Sequence, residues 1–205
     1  YNTLDMIRLK AAINKDTEVS QMLMKLVSFY RLSTKVYDSM VAVRKEVEML
    51  DAYMSLMCYR YSDIIYRSEI EPGALDIEIP NFILQPLLEN SLMHGLKDRR
   101  YQGTIILKIY RNEQDKNELN IWLIDDGIGI PDDKMAELNA YNAKDSEALY
   151  RVQTRTEGDR THLGVINVIS RLKLYYQENA EVIYMRNETG GTTVKIKIKT
   201  ASEET

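Results

Sequence analysis

The stretch from Pro80 to Gly95 constrains the fold more than any other part of the chain. Read as a helix, it sets Leu84, Leu87, Leu88, Ser91 and Leu92 along one stripe, the pattern of a face packed against a core. Glu89, Asn90 and His94 fall outside that stripe. A carboxylate beside a carboxamide, with an imidazole one turn after the Asn, is a polar cluster on the rim of an apolar element. It suits a cation or a phosphate, and it equally suits a plain solvated helix face.

The 205 residues are enough for one large domain or two small ones with a true core. Hydrophobic residues at 44% and charged residues at 28% are the balance of a globular protein, and a net charge of −4 argues against a nucleic-acid binder working through a general basic surface. One cysteine, Cys58, excludes an intrachain disulfide and fits a reducing compartment. Tyr1 is not an initiator Met, so the chain is expected to be cut from a longer protein whose other segments could carry a membrane anchor.

The first third reads as helix. Leu4, Ile7 and Ala11 form one stripe, Asp16 or Thr17 offers a new N-cap, and Val19, Met22, Leu23, Leu26 and Tyr30 recur at helical spacing. From Val43 the pattern tightens: Val43, Val47, Leu50, Met54, Met57 and Tyr61 alternate spacings of four and three. Such a seam packs a helix on its own core or on a dimerising hairpin, and the regularity favours the hairpin. Strands are expected at Ile65–Glu71, Thr104–Arg111, Leu119–Asp125, Val182–Arg186 and Thr192–Lys199. Helices followed by strands in this order predict an α+β sandwich.

Two further stretches carry chemistry. Asp125-x-Gly127-x-Gly129 places a carboxylate at a strand end before two glycines, which lets the backbone approach a flat ligand while the carboxylate accepts a hydrogen bond from it. Gly164 opens a helix through Val168, Ile169, Arg171, Leu172 and Tyr175, leaving amide groups free for an anion. Between them, residues 132–160 are polar, with Arg151, Arg155 and Arg160 among acids, and read as a mobile loop or lid.

Taken in order, Glu89-Asn90 with His94-Gly95, Asp125-x-Gly127-x-Gly129, Gly164 with Asn167-Val168 and Arg171-Leu172, and Gly191-Thr192 resemble the four boxes of the Bergerat-fold ATP-binding module. Leu84-Gln85-Pro86-Leu87-x-Glu89-Asn90 is similar to the form found in sensor histidine kinases. Tyr1-Asn2-Thr3-Leu4, Arg31-Leu32-Ser33, Glu46 to Tyr53 and Arg60-Tyr61 resemble the autolysin-regulator-like subgroup, whose acceptor histidine would lie just before Tyr1.

The resemblance implies an α+β fold in which a helical dimerisation hairpin, residues 1–67, precedes a two-layer ATP-binding sandwich, residues 68–205. It implies Mg²⁺ and ATP as cofactors, transfer of the γ-phosphoryl group to a histidine, and relay to a response regulator receiver domain. Homodimerisation through the helices and a place on the cytoplasmic side of a membrane-anchored protein come with it. This chain by itself would not autophosphorylate.

Residue roles follow from the same likeness. Asn90 resembles the Mg²⁺ ligand, Asp125 the reader of the adenine amino group, and Thr192 a supporting hydroxyl. Gly127 and Gly129 allow close approach of base and ribose, and Gly164 meets the phosphates. Glu89 resembles an acid that orients groups or acts as a base, and His94 closes the first box. Two departures stand out. Met93 occupies a place often held by a basic residue, whose phosphate contact would be lost or supplied by Lys97, and His162 occupies a place usually held by glycine, either to bond a phosphate or to sit in the lid. Two rival readings remain: an ATPase of the chaperone or topoisomerase kind using Glu89 as base, and an interaction module that kept the fold and lost the nucleotide.

Overall fold

The computed structural model describes residues 2–34, 39–144, 149 and 163–200. Helices α1 (Asn2–Ile13) and α2 (Thr17–Thr34) open the chain, and the Asp16 carboxylate caps the second by accepting the Val19 N–H at 3.1 Å. Strand β1 (Met40–Ala42) leads into α3 (Val43–Arg60), then β2 (Ile64–Ile70), β3 (Glu78–Pro80) and α4 (Leu84–Asn90). Strands β4 (Gly103–Arg111) and β5 (Glu118–Asp125) follow, then α5 (Asp132–Ala140), α6 (Leu163–Tyr176), β6 (Ala180–Arg186) and β7 (Thr192–Lys199).

Five strands form one sheet in the order β2-β4-β5-β7-β6, parallel only between β2 and β4, while β1 and β3 pair separately. Alternation decides the faces. Leu119, Ile121 and Leu123 on β5 and Val194, Ile196 and Ile198 on β7 are buried in one cluster with Leu84, Leu87, Leu88 and Leu92 of the α4 region and Val165, Ile166, Val168, Ile169 and Leu172 of α6. The opposite face carries Lys195, whose ammonium lies 4.0 Å from the Trp122 ring centre. The result is the expected α+β sandwich of helices on one side of a sheet.

Three sequence readings are corrected. The helix expected from Pro80 begins only at Leu84, because Pro80 completes β3 and Phe82 takes a left-handed φ of 55°. The first four residues of the α3 seam face inward: Val43, Val47, Leu50 and Met54 are buried in the same cluster as the sheet, while Met57 and Tyr61 are half-buried against it. The segment read as a loop or lid starts as helix α5, and the Asn139 side chain accepts the Tyr184 N–H at 2.8 Å and donates to its carbonyl at 2.9 Å, clipping α5 to the free edge of β6. Arg151, Arg155 and Arg160 lie outside the described residues. Arg67, to which the helical region was expected to run, lies in β2 and pairs with Ile106 of β4.

Leu88 is 0% exposed and belongs to the core cluster, on a helix that packs against α3 and α6. Leu88→Ala is expected to cost about 2–5 kcal/mol of unfolding free energy, read as a lower urea midpoint at unchanged m-value.

Candidate functional site

Asp125 ends β5 with its side chain turned to the helical layer, and it is 3% exposed. A carboxylate taken out of water needs donors, and the protein supplies three. Oδ1 accepts the Gly127 N–H at 3.0 Å and the Thr192 N–H at 3.2 Å, and Oδ2 accepts the Ser91 hydroxyl at 2.9 Å. An ionised carboxylate has about four acceptor positions, so roughly one is left for an external donor. Burial pushes the Asp125 carboxyl above its ordinary range; the Ser91, Thr192 and Gly127 bonds pull it back, and neighbouring Asp126 adds a smaller upward push.

Close backbone contacts frame this carboxylate. A Cβ on Gly127 would overlap the Gly95 backbone, and one on Gly191 would overlap the Asp125 carbonyl, so only glycine lets β5, β7 and the end of the α4 helix meet here. The Ile128 N–H donates to the Gly95 carbonyl at 3.1 Å, and the Asn187 amide donates to the Asp125 carbonyl at 2.8 Å. Gly129 takes a φ of +74° beside Gly190.

Beyond Asn90 the α4 helix widens into a π-helical turn, Ser91–Leu96. This geometry frequently marks functional sites, and here it presents Ser91 and Gly95 to Asp125. Glu89 and Asn90 sit half-buried just before it, with Glu89 accepting from the Gln85 amide at 2.8 Å. Among the described residues the Asn90 side chain has no hydrogen-bond partner, which leaves its carbonyl oxygen available to a hard cation. No cluster of three or more His, Cys, Asp or Glu that could hold a metal occurs among the described residues, so a cation here would need ligand oxygens as well.

The expected residues are therefore brought together unevenly. Asp125, Gly127 and Thr192 converge with Gly95, and Gly164 packs against Pro86, one turn before Asn90. His94 is exposed, and His162 lies outside the described residues. Sequence reasoning missed Ser91, assigned to the apolar stripe, although a hydroxyl on a core stripe is itself a sign of a buried polar partner. It also missed Asn187.

A buried carboxylate at a strand end, glycine contacts around it and a π-helical turn alongside thus meet at one point of the α+β fold. Residues 76–202 match the family of histidine kinase-, DNA gyrase B- and HSP90-like ATPases, and residues 1–65 match the histidine kinase family. The chain belongs to the histidine kinases that carry this ATPase domain. It is similar to Sensor protein LytS of Oceanobacillus iheyensis, 31% identical over 198 residues that cover 95% of this chain and 31% of the relative. Sensor histidine kinase YpdA of Escherichia coli is 25% identical over 202 residues, 97% of this chain and 31% of the relative. The chain thus spans about a third of the length of these two relatives. In fold it resembles the histidine kinase domain of the blue-light activated histidine kinase of Erythrobacter litoralis, with a TM-score of 0.52 at 18% identity over 97% of this chain and 86% of that one. The mycobacterial sensor histidine kinase MprB gives a TM-score of 0.52 at 14% identity over 80% of this chain and 97% of that one.

The raised Asp125 value has a definite sign for stability. Between its ordinary value and the higher folded one, the folded chain binds more protons than the unfolded chain, so ionising Asp125 lowers stability as pH rises through that window. The unfolding free energy of Asp125→Asn relative to the parent is expected to shift in the variant's favour across that window and then level off, as followed by urea titrations at a series of pH values.

Proposed function

We propose that this chain is the nucleotide-binding part of a sensor histidine kinase and that it binds Mg-ATP at the Asp125 site. The observation that carries the reading is the Asp125 carboxylate, buried, held by three protein donors and left with roughly one acceptor position for an adenine amino group. The tight Gly127 and Gly191 contacts lock the Gly95 and Asp125 backbones together at that wall and so fix the carboxylate. Thr192 backs Asp125 from β7, and Gly129 lies where the ribose would pass. Gly164 brings the start of α6 to Pro86 of α4, a place for phosphates at a helix N-terminus. Asn90, whose carboxamide has no partner among the described residues, holds Mg²⁺ in this reading, and Glu89 orients groups around the γ-phosphoryl or accepts a proton; His94 and His162 are assigned to the phosphate end.

The reaction proposed for the whole protein is displacement at the γ-phosphorus. The bond to the ADP oxygen breaks, a bond to a histidine nitrogen forms, and the group then passes to an aspartate of a response regulator receiver domain. Bound Mg²⁺ supplies charge neutralisation, and the chain's own residues bind and orient. Homodimerisation is assigned to α1 and α2, which expose Met6, Ile7, Leu9, Ile13 and Met24, because the first four residues of the α3 seam are buried. The proposed location is the cytoplasmic face of a membrane-anchored protein; among the described residues no helix is long and apolar enough to cross a membrane.

Calorimetry with a non-hydrolysable ATP analogue, with and without Mg²⁺, tests the site. The parent chain is expected to bind saturably, and Asp125→Asn, which presents an amide donor to another donor, to bind at least about tenfold more weakly. Absence of binding in the parent at millimolar Mg-nucleotide would reject the site and favour an interaction module without nucleotide, for which Met93 at 44% exposure in place of a base is the supporting observation.

A further inference from the structure

Glu46 stands on α3, outside the box stretches of the sequence, yet it is 2% exposed. Its Oε1 accepts the Phe82 N–H at 2.7 Å, and its Oε2 accepts the Ile83 and Leu84 N–H groups at 3.2 Å each. These amides belong to the entry of α4. A helix start leaves four N–H groups without intrahelical partners; here Pro86 has none to leave, and Glu46 takes those of Ile83 and Leu84. Phe82 has a φ of 55°, a conformation that a bulky residue keeps only where its surroundings impose it.

The same entry is gripped from the other side. Arg171, on α6, donates to the Asn81 carbonyl and, at 2.9 Å, to the Asn81 Oδ1. Residues 81–84 are therefore held between a carboxylate on α3 and a guanidinium on α6. Burial pushes the Glu46 carboxyl up; the Phe82, Leu84 and Ile83 bonds and then the Arg171 charge pull it back.

We propose that Glu46 and Arg171 are positioning residues of the nucleotide site, which fix where α4 begins and so where Glu89 and Asn90 stand. The proposal rests on the Mg-ATP reading of that site. Neither residue touches Asp125, which is carried by β5 and held by Ser91, Gly127 and Thr192. A shifted α4 entry would therefore disturb the metal end of the site more than the base end. The two ends can be read separately.

The test uses the full chain with Glu46→Gln and Arg171→Lys. The first substitution would offer one oxygen and one amide to three N–H donors; the second keeps the charge and replaces the planar guanidinium whose Nη1 makes both bonds to Asn81. Binding of a non-hydrolysable ATP analogue is measured with and without Mg²⁺, and amide hydrogen exchange is followed along the chain. For Glu46→Gln the gain in affinity from Mg²⁺ is expected to fall about tenfold, the effect of one lost charge-assisted bond, while Mg²⁺-free binding stays within about twofold. Arg171→Lys shows the same pattern at smaller size. Exchange is expected to quicken in residues 84–96 and 163–176 and to hold in β5 and β7. A parallel fall of both affinities with faster exchange everywhere would reduce the two residues to general stability and overturn the proposal, as would no change in either measurement. If the parent chain binds no nucleotide, the Mg-ATP reading fails by itself, and localised or global exchange still decides the positioning of α4.

Discussion

A carboxylate removed from water is unstable unless protein donors replace the solvent, and the architecture of this chain follows from two such groups. The cost of an unpaired buried charge is several kcal/mol, comparable with the net stability of a domain, so the donors are conditions of folding. At Asp125 they are the Gly127 and Thr192 amides and the Ser91 hydroxyl; at Glu46 they are the amides of residues 82–84. Each set draws elements that are distant in sequence to one point. Asp125 joins β5, β7 and the turn after α4, and Glu46 joins α3 to the start of α4.

The glycines are a consequence of the first requirement. For a backbone N–H to reach a side chain on the adjacent strand end, the chains must approach closer than any Cβ permits, and Gly127 and Gly191 mark those approaches. The π-helical turn at Ser91–Leu96 answers the same demand from the helical side, since a regular helix would set the hydroxyl and Gly95 at a different angle to β5. The features that resemble nucleotide boxes in the sequence are also the means of burying one carboxylate.

Legibility follows from the range of the interactions. Strand faces and the α4 stripe are readable because period-two and helical spacing are local: Val194, Ile196 and Ile198 face the core and Lys195 and Lys197 face out. Asp125, Gly127 and Thr192 are readable as a set because their spacing is distinctive. The start of α4 is not, since it depends on Glu46, thirty-eight positions before Leu84, and on Arg171, ninety after Asn81. Glu46 does leave a trace: an acid falling between Val43 and Val47 on an apolar seam. The fate of that seam misleads for the same reason, because a repeat of three and four says that a helix is packed, not against what.

The two buried carboxylates bracket α4. Glu46 holds its first residues from α3, and Asp125 holds Ser91, immediately after its last, from β5. Glu89 and Asn90 therefore project from a span fixed at both ends by charge-assisted hydrogen bonds between regular elements, the condition under which a side chain can be placed within a fraction of an ångström. His94 comes after the second anchor and is exposed, so its position is set by solvent and by whatever binds rather than by the core. The division separates Glu89 and Asn90, carried on a span anchored at both ends, from His94, which lies beyond it. It also places α3, and not only the residues of the boxes, among the elements that determine the geometry of the site, because one of the two anchors is carried on it.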